Sequence, residues 1–226
     1  MFFEKILNYV YPNSCILCGK SIKSNSYTCE NCTSILKYYR GRYLENSCLK
    51  NVDEILNLYE YTGIIKKKIL QYKFGNQKYL YKFFAHILSE KLNELKIDFD
   101  IIISVPISMT RYKERGYNQS FLIAKELSKI LKKEIYKKAL RKCKNNKRQS
   151  DLNIEERQKN VLGVYQYKSK KALTNKKVLL VDDIYTTGAT LNECAKVLKQ
   201  SGCNKVIAVT IAYAKKEFRS ERKRFV

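Results

Sequence analysis

Two adjacent carboxylates, Asp182 and Asp183, stand between a short apolar run and a turn rich in hydroxyl groups. The apolar run, residues 178–181, contains only strand-forming residues and indicates a short buried strand. The turn, residues 186–190, contains Gly188 and leads into an amphipathic pattern that is typical of a helix. A strand that enters a helix through such a turn brings backbone N–H groups and the positive end of a helix dipole to one point. This arrangement predicts a binding site for a phosphate group.

We expect the turn and the two carboxylates to bind different parts of one ligand. Gly188 would let the backbone approach an anion closely, and threonine hydroxyls can donate to phosphate oxygens. The aspartates cannot bind that phosphate directly but suit ribose hydroxyls, or waters around a magnesium ion, so the segment describes a ribose 5-phosphate site. The alternative is a buried strand followed by a solvated acidic turn, with Thr190 serving only as a helix cap. The residues predicted to hold the phosphate are Thr186, Thr187, Gly188, Ala189 and Thr190.

Four cysteines near the beginning of the chain form two CxxC pairs, Cys15 with Cys18 and Cys29 with Cys32. Each pair can present two sulfurs to one ion, and four thiolates with no open position are typical of structural zinc. The residues between the pairs are too few and too polar to form a core, so metal would have to stabilise them. A redox role is the weaker alternative, because it needs only one CxxC pair. Cys48 could belong to a second, degenerate metal site.

From residue 51 onward, strand-like and helix-like segments alternate, which favours a parallel α/β sheet. The division predicted from this pattern is an N-terminal helix and zinc-binding module over residues 1–50, followed by a second domain over residues 51–226. Strands are predicted at 55–61, 101–105 and 205–212, and helices at 64–74, 79–95 and 122–131.

The loop after the strand predicted at 101–105 is cationic, because it carries Arg111 and Arg115, and a helix is predicted to start near Asn118. Ligands of open α/β sheets collect beyond the carboxyl ends of the strands. A cationic loop at that position could hold pyrophosphate. An ordinary charged surface loop is the alternative.

The chain contains 45 Lys and Arg residues against 21 Asp and Glu residues, a net charge of +24. Basic residues are concentrated at 137–148 and at 215–224, and such patches attract polyanions and give salt-sensitive binding to nucleic acid. An AT-rich genome would also raise the lysine content, but Glu has AT-rich codons too, so this bias does not wholly explain the excess. The predicted nucleic-acid contacts are Lys142, Lys144, Lys147 and Arg148.

Composition argues against several functional classes. No apolar run approaches the roughly 18 residues that a membrane span needs, and Glu4 and Lys5 interrupt the apolar start of the chain, which does not resemble a signal peptide. We therefore expect a cytoplasmic protein without membrane contact. The single histidine, His86, lies beside an apolar stripe, so a surface position is expected and a Ser-His-Asp or Cys-His mechanism is not.

Four features follow one another along the chain: the four cysteines, the motif KFG at 73–75, the motif RGYNQ at 115–119 and the segment 178–190. With these features in this order, the chain resembles the ComF family of bacterial competence proteins along nearly its whole length. The segment 178–190 is similar to the phosphoribosyl pyrophosphate (PRPP) signature of type I phosphoribosyltransferases. Tyr117 and Tyr165 depart from the family pattern, where we expect Phe.

The resemblance implies a type I phosphoribosyltransferase-like (Rossmann-like) α/β fold, with a parallel sheet, helices on both faces and a small N-terminal zinc ribbon. It also implies binding of PRPP or a related ribose phosphate with Mg2+, contact with single-stranded DNA, and a role in DNA uptake during natural transformation. In phosphoribosyl transfer to an unknown acceptor, Asp182 and Asp183 would be the catalytic residues that hold the ribose hydroxyls. Arg111 and Arg115 would assist the departure of pyrophosphate. The alternatives are a binding module without turnover and an adaptor whose zinc ribbon docks on a helicase-like competence partner.

Overall fold

The structure, a computed structural model, describes residues 14–22, 26–38, 40–44, 49–143 and 161–214. Within these ranges, no helix combines the length and the apolar character that crossing a membrane requires. Some sequence-based predictions lie outside the described residues. They concern the N-terminal helix, Cys48, Lys144, Lys147, Arg148 and the basic tail 215–224.

The described part of the chain contains both helices and strands, as the sequence pattern predicts, but they do not alternate strictly. The helices are α1 (Glu30–Tyr38), α2 (Gly63–Phe74), α3 (Leu80–Glu94), α4 (Met109–Arg115), α5 (Gln119–Leu131) and α6 (Ala189–Gln200). The strands are β1 (Arg40–Leu44), β2 (Glu54–Glu60), β3 (Ile101–Ser104), β4 (Glu134–Ile135), β5 (Leu140–Lys142), β6 (Tyr165–Tyr167), β7 (Lys177–Tyr185) and β8 (Lys205–Tyr213).

Six strands form one sheet in the order β1-β2-β8-β7-β3-β4. Every neighbouring pair in this sheet is parallel except β1 and β2, which are antiparallel. Strands β5 and β6 form a separate antiparallel ribbon. The two longest strands, β7 and β8, lie side by side in the middle, so the turn that follows β7 is placed near the centre of one edge of the sheet.

Helices cover both faces of the sheet, which confirms the predicted fold class. Strand β7 shows how the sequence achieves this. Leu179 and Val181 pack on the face covered by α2, α3 and α5, whereas Val178 and Leu180 pack on the face covered by α6 and the β5–β6 ribbon. Because both faces are buried, a central parallel strand is apolar at consecutive positions and shows no alternation.

Two local predictions are wrong. Strand β7 does not end at residue 181 but continues through both aspartates, because Asp182 pairs with Thr210 and Tyr185 pairs with Tyr213 of β8. The segment after β3, predicted as a loop, contains the helix α4, which the Ser108 side chain caps by accepting from the backbone N–H of Arg111 at 3.3 Å. No residue of α4 is buried, so it has no apolar face for a sequence pattern to reveal.

The cysteine-containing module packs directly on the sheet domain. Leu17 and Leu36 belong to the same apolar cluster as Phe83 of α3, and the ring centroids of Tyr27 and Phe83 are 6.0 Å apart. Strand β1 also lies within the first 50 residues and extends the main sheet. The division of the chain at residue 50 stays a prediction.

Candidate functional site

A cleft of about 300 Å3 lies at the carboxyl ends of β3 and β7. Residues after β3 form one wall, and the end of β7 with the following turn forms the opposite wall. Most of the residues predicted for ribose phosphate line this cleft, although Thr187 does not. The predicted residues in its lining are Arg111, Arg115, Asp182, Asp183, Thr186, Gly188, Ala189 and Thr190.

Two hydrogen bonds to the same carboxylate oxygen hold the side chain of Asp182 in place. The Ser120 hydroxyl donates to Asp182 Oδ1 at 2.8 Å, and the backbone N–H of Asp183 donates to the same oxygen at 2.9 Å. Burial, reinforced by the negative charge of Asp183, raises the pKa of Asp182 to about 7. The carboxylate is therefore costly to ionise in the free protein, and a bound ligand that donates hydrogen bonds would stabilise its charged form.

Asp183 is neutralised by a lysine that the sequence analysis did not assign to the site. Lys73 Nζ lies 2.9 Å from Asp183 Oδ1, and both side chains are 14% exposed. Lys73 belongs to the last turn of α2 and is the first residue of the KFG motif at 73–75. This motif could have pointed to Lys73, because it is part of the family resemblance. The pairing itself could not be predicted from it, because Asp183 lies 110 positions away along the chain.

The turn after β7 depends on Gly188 for two reasons, and neither is the predicted close approach of the backbone to an anion. Gly188 has a φ of 75°, in the left-handed region, and a Cβ atom there would lie 2.8 Å from side-chain atoms of Leu49 and Tyr185. Gly188 is also the N-cap of α6. The alternative in which Thr190 caps this helix is therefore wrong, because Thr190 lies inside the first turn. The N–H groups of a first helical turn lack intrahelical partners, which suits an anion.

Arg115 is held at the wall of the cleft. Its Nη1 donates to Gln119 Oε1 at 3.1 Å, and its guanidinium lies 4.8 Å from the ring centroid of Phe74. Burial lowers the pKa of Arg115, and the negative charge of Asp183 partly offsets that effect. Within the described part of the chain, the buried Nε atom has no hydrogen-bond partner. A fixed guanidinium with an unused donor is suited to an oxyanion.

Lys142 was predicted as a nucleic-acid contact from its place in a basic segment, and the structure places it in the lining of the cleft. It lies on β5 opposite Tyr165 of β6. Burial, followed by the positive charge of Arg111, lowers the pKa of Lys142 to about 8. No local pattern in the sequence indicates this position, because it is the pairing of β5 with β6 that brings Lys142 to the cleft.

The RGYNQ motif at 115–119 joins α4 to α5 and fixes the wall that carries Arg115. Asn118 caps α5 by accepting from the N–H of Phe121 at 3.2 Å, and its amide nitrogen donates to the carbonyl of Val105 at 3.0 Å. The helix start predicted near this residue is confirmed. The Tyr117 hydroxyl, which Phe would lack, donates to the carbonyl oxygen of Tyr72.

The four predicted cysteine ligands converge at one point, where their sulfurs all lie within 4.8 Å of one another. Cys15 and Cys18 flank a tight turn, whereas Cys29 directly precedes α1 and Cys32 lies in its first turn. The Sγ atoms of Cys18 and Cys29 are 3.8 Å apart. Tetrahedral zinc with Zn–S bonds of about 2.3 Å separates sulfurs by roughly 3.8 Å, so this donor set fits zinc.

The pKa values of the Cys15 and Cys32 thiols move in opposite directions. Burial, followed by hydrogen bonds with Cys18, Cys29 and Cys15, raises the pKa of Cys32, whereas the pKa of Cys15 is lowered. Burial would raise the pKa of the Cys15 thiol, but backbone hydrogen bonds from Cys18, Cys29 and Leu17 outweigh burial and lower the pKa to about 6.

The histidine lies at the surface, as the sequence predicts. Two other thiols, those of Cys194 and Cys203, are buried among apolar side chains. The side chain of His86 is 44% exposed, with its Nε2 atom 3.4 Å from a carboxylate oxygen of Glu90.

Comparison with known proteins gives similarities over most of the chain. Residues 117–226, which include β7, the turn and α6, match the family described as the phosphoribosyl transferase domain. Competence protein F of Haemophilus influenzae is 31% identical over 202 residues, which cover 85% of this chain and 86% of that protein. Competence protein ComFC of Streptococcus pneumoniae is 31% identical over 150 residues, covering 66% and 63%. DNA utilization protein YhgH of Escherichia coli K12 is 23% identical over 197 residues, covering 83% and 85%.

Proposed function

The chain belongs to the ComF family of competence proteins, and from that premise we propose that its cleft binds PRPP, or a related ribose phosphate, together with Mg2+. The observation that carries the proposal is the composition of the two walls. One wall provides a helix N-terminus and hydroxyl groups beside two carboxylates, and the other provides Arg111 and Arg115. Each chemical part of PRPP therefore has a matching group, since the ligand combines a phosphate, a diol and a pyrophosphate.

Each part of the ligand is assigned to a different set of residues. The turn 186–190 holds the 5-phosphate, and Asp182 and Asp183 accept from the ribose hydroxyls. Oxygen donors of this kind suit Mg2+, which when bound would neutralise negative charge on the ligand. In a transfer reaction an acceptor displaces pyrophosphate from C1 of the ribose, and Arg111 and Arg115 stabilise the negative charge that develops on the departing group.

We further propose that the protein acts in the cytoplasm in DNA uptake and contacts single-stranded DNA. The names of the relatives support this role, because they refer to competence and DNA utilization. The net charge of +24 supports contact with a polyanion. In the same proposal the four cysteines hold structural zinc. The rival function, an adaptor whose zinc ribbon docks on a helicase-like partner, requires no ligand in the cleft.

The experiment that tests the proposed function compares PRPP binding by Asp182→Asn and Asp183→Asn with that of Glu90→Gln, a matched variant that removes an exposed carboxylate on α3. We expect both cleft variants to lose magnesium-dependent stabilisation by PRPP in a thermal shift assay, and the control to keep it. Equal stabilisation of all three variants would contradict the assignment. Exchange of labelled pyrophosphate into PRPP, measured with candidate acceptors, then distinguishes an enzyme from a binding module.

A further inference from the structure

Four cationic side chains line the cleft, and two of them already have partners. Lys73 is paired with Asp183, and Arg115 is bonded to Gln119. The other two are Arg111 and Lys142. Within the described part of the chain, neither the Arg111 guanidinium nor the Lys142 ammonium forms a hydrogen bond or an ion pair.

The alternation of strand β5 determines that Lys142 faces inward. Leu140 is 4% exposed and packs in the apolar cluster on the α6 face, Arg141 is exposed, and Lys142 is half-buried. Since side chains two positions apart lie on the same side of a strand, Lys142 shares the inner side with Leu140. Pairing with the buried Tyr165 fixes the register of the ribbon and hence the position of this lysine.

We propose that Lys142 and Arg111 together form the subsite that holds the pyrophosphate group of PRPP. The inference rests on the proposed function and changes the predicted residue set, in which Arg111 acted with Arg115 and Lys142 contacted nucleic acid. Two neighbouring cations that form no ion pair repel each other, and an anion between them reduces that repulsion. The opposite wall is already suited to the 5-phosphate, so the pyrophosphate end of the ligand is the anion that reaches this pair.

The titration of Lys142 gives the subsite a measurable signature. The groups around it are Arg111 on α4 and Cys194 on α6, with Tyr165 on β6 and Asp182 on β7 nearby. With a pKa of about 8, Lys142 is mostly charged at pH 7 and mostly neutral at pH 9. A ligand that requires the charged form should bind about tenfold more weakly at pH 9 than at pH 7. The phosphate groups, with a second pKa near 6, change little over this range.

The test measures binding of PRPP and of ribose 5-phosphate by titration calorimetry at pH 7 and pH 9, at one fixed magnesium concentration. The two ligands differ by the pyrophosphate group. Since Asp182 contacts the ribose of both, the effect of its ionisation on affinity drops out of the ratio of the two affinities. Wild-type protein and Lys142→Gln are compared with Arg141→Gln, the exposed neighbour on the same strand.

For Lys142→Gln we expect PRPP affinity at pH 7 to fall about tenfold or more, with ribose 5-phosphate affinity unchanged and the pH dependence of the ratio abolished. Arg141→Gln should behave as wild type. Equal effects of the two variants, or a wild-type ratio that is the same at both pH values, would overturn the subsite while leaving the proposed function intact. Wild-type protein that binds neither ligand would refute the proposed function, and the subsite with it.

Discussion

The raised pKa of Asp182 predicts that the cleft lowers the stability of the fold at neutral pH, and that Asp182→Asn relieves this cost. In the folded protein burial and the charge of Asp183 raise the pKa from 3.8 to about 7. Because the folded state binds this proton more tightly than the unfolded state, the contribution of Asp182 to stability is greatest below pH 4 and falls as pH rises from about 4 to 7. Above pH 7 the cost is constant.

The size of the effect follows from the same two pKa values. One pKa unit corresponds to about 1.4 kcal/mol, so the ionisation cost of Asp182 grows by about 3 kcal/mol between pH 5 and pH 8. Asparagine has no such cost and can still accept from the Ser120 hydroxyl. Between pH 5 and pH 8, the free energy of unfolding of Asp182→Asn should therefore increase by about 3 kcal/mol relative to that of wild type.

Urea denaturation at the two pH values measures this difference, and comparing variant with wild type at each pH cancels the effect of pH on the zinc site. Asp98→Asn is the control, because that carboxylate is on the surface and its hydrogen bond with Lys177 lowers its pKa. This control should not gain stability at pH 8. A difference between Asp182→Asn and wild type that is the same at pH 5 and pH 8 would refute the reasoning.

Three further predictions concern other parts of the chain. One zinc per chain should be found by atomic absorption, and Cys15→Ser should lower that content and destabilise the cysteine module more than the body; full stability after complete metal removal would contradict this. Tyr117→Phe should lower the free energy of unfolding by about 1 kcal/mol because the Tyr72 carbonyl loses its donor, whereas Tyr112→Phe, at an exposed position, should change nothing; equal losses would count against it. Charge reversal at Lys144 and Lys147 should weaken binding to single-stranded DNA of any sequence and reduce its salt dependence, and undetectable wild-type binding at low salt would remove the DNA proposal.

Local sequence pattern was sufficient for the features that depend on neighbouring residues. The strand at β7 and the helix after it are predictable because consecutive apolar residues and an amphipathic repeat lie next to each other in the chain. The cysteine site is predictable because each CxxC turn positions its own two sulfurs. The cap at Asn118 is likewise local, since its side chain accepts from a residue three positions later.

The electrostatics of the cleft could not be predicted in the same way. Lys73 meets Asp183 across 110 positions and Ser120 meets Asp182 across 62. Both contacts exist only because α2 and α5 pack on one face of the sheet. Lys142 reads as one lysine in a basic segment, and its environment is decided by the pairing of β5 with β6. Burial then changes its chemistry, because it lowers the pKa of Lys142, whereas burial does not affect a solvated lysine.

Titration of the wild-type protein with PRPP in the presence and absence of Mg2+ tests the central claim most directly. The proposed cleft predicts saturable binding at one site per chain, with heat that depends on magnesium, and ribose 5-phosphate should compete for the same site. If protein that contains its full complement of zinc shows no heat and no competition, the claim that this cleft binds PRPP is contradicted.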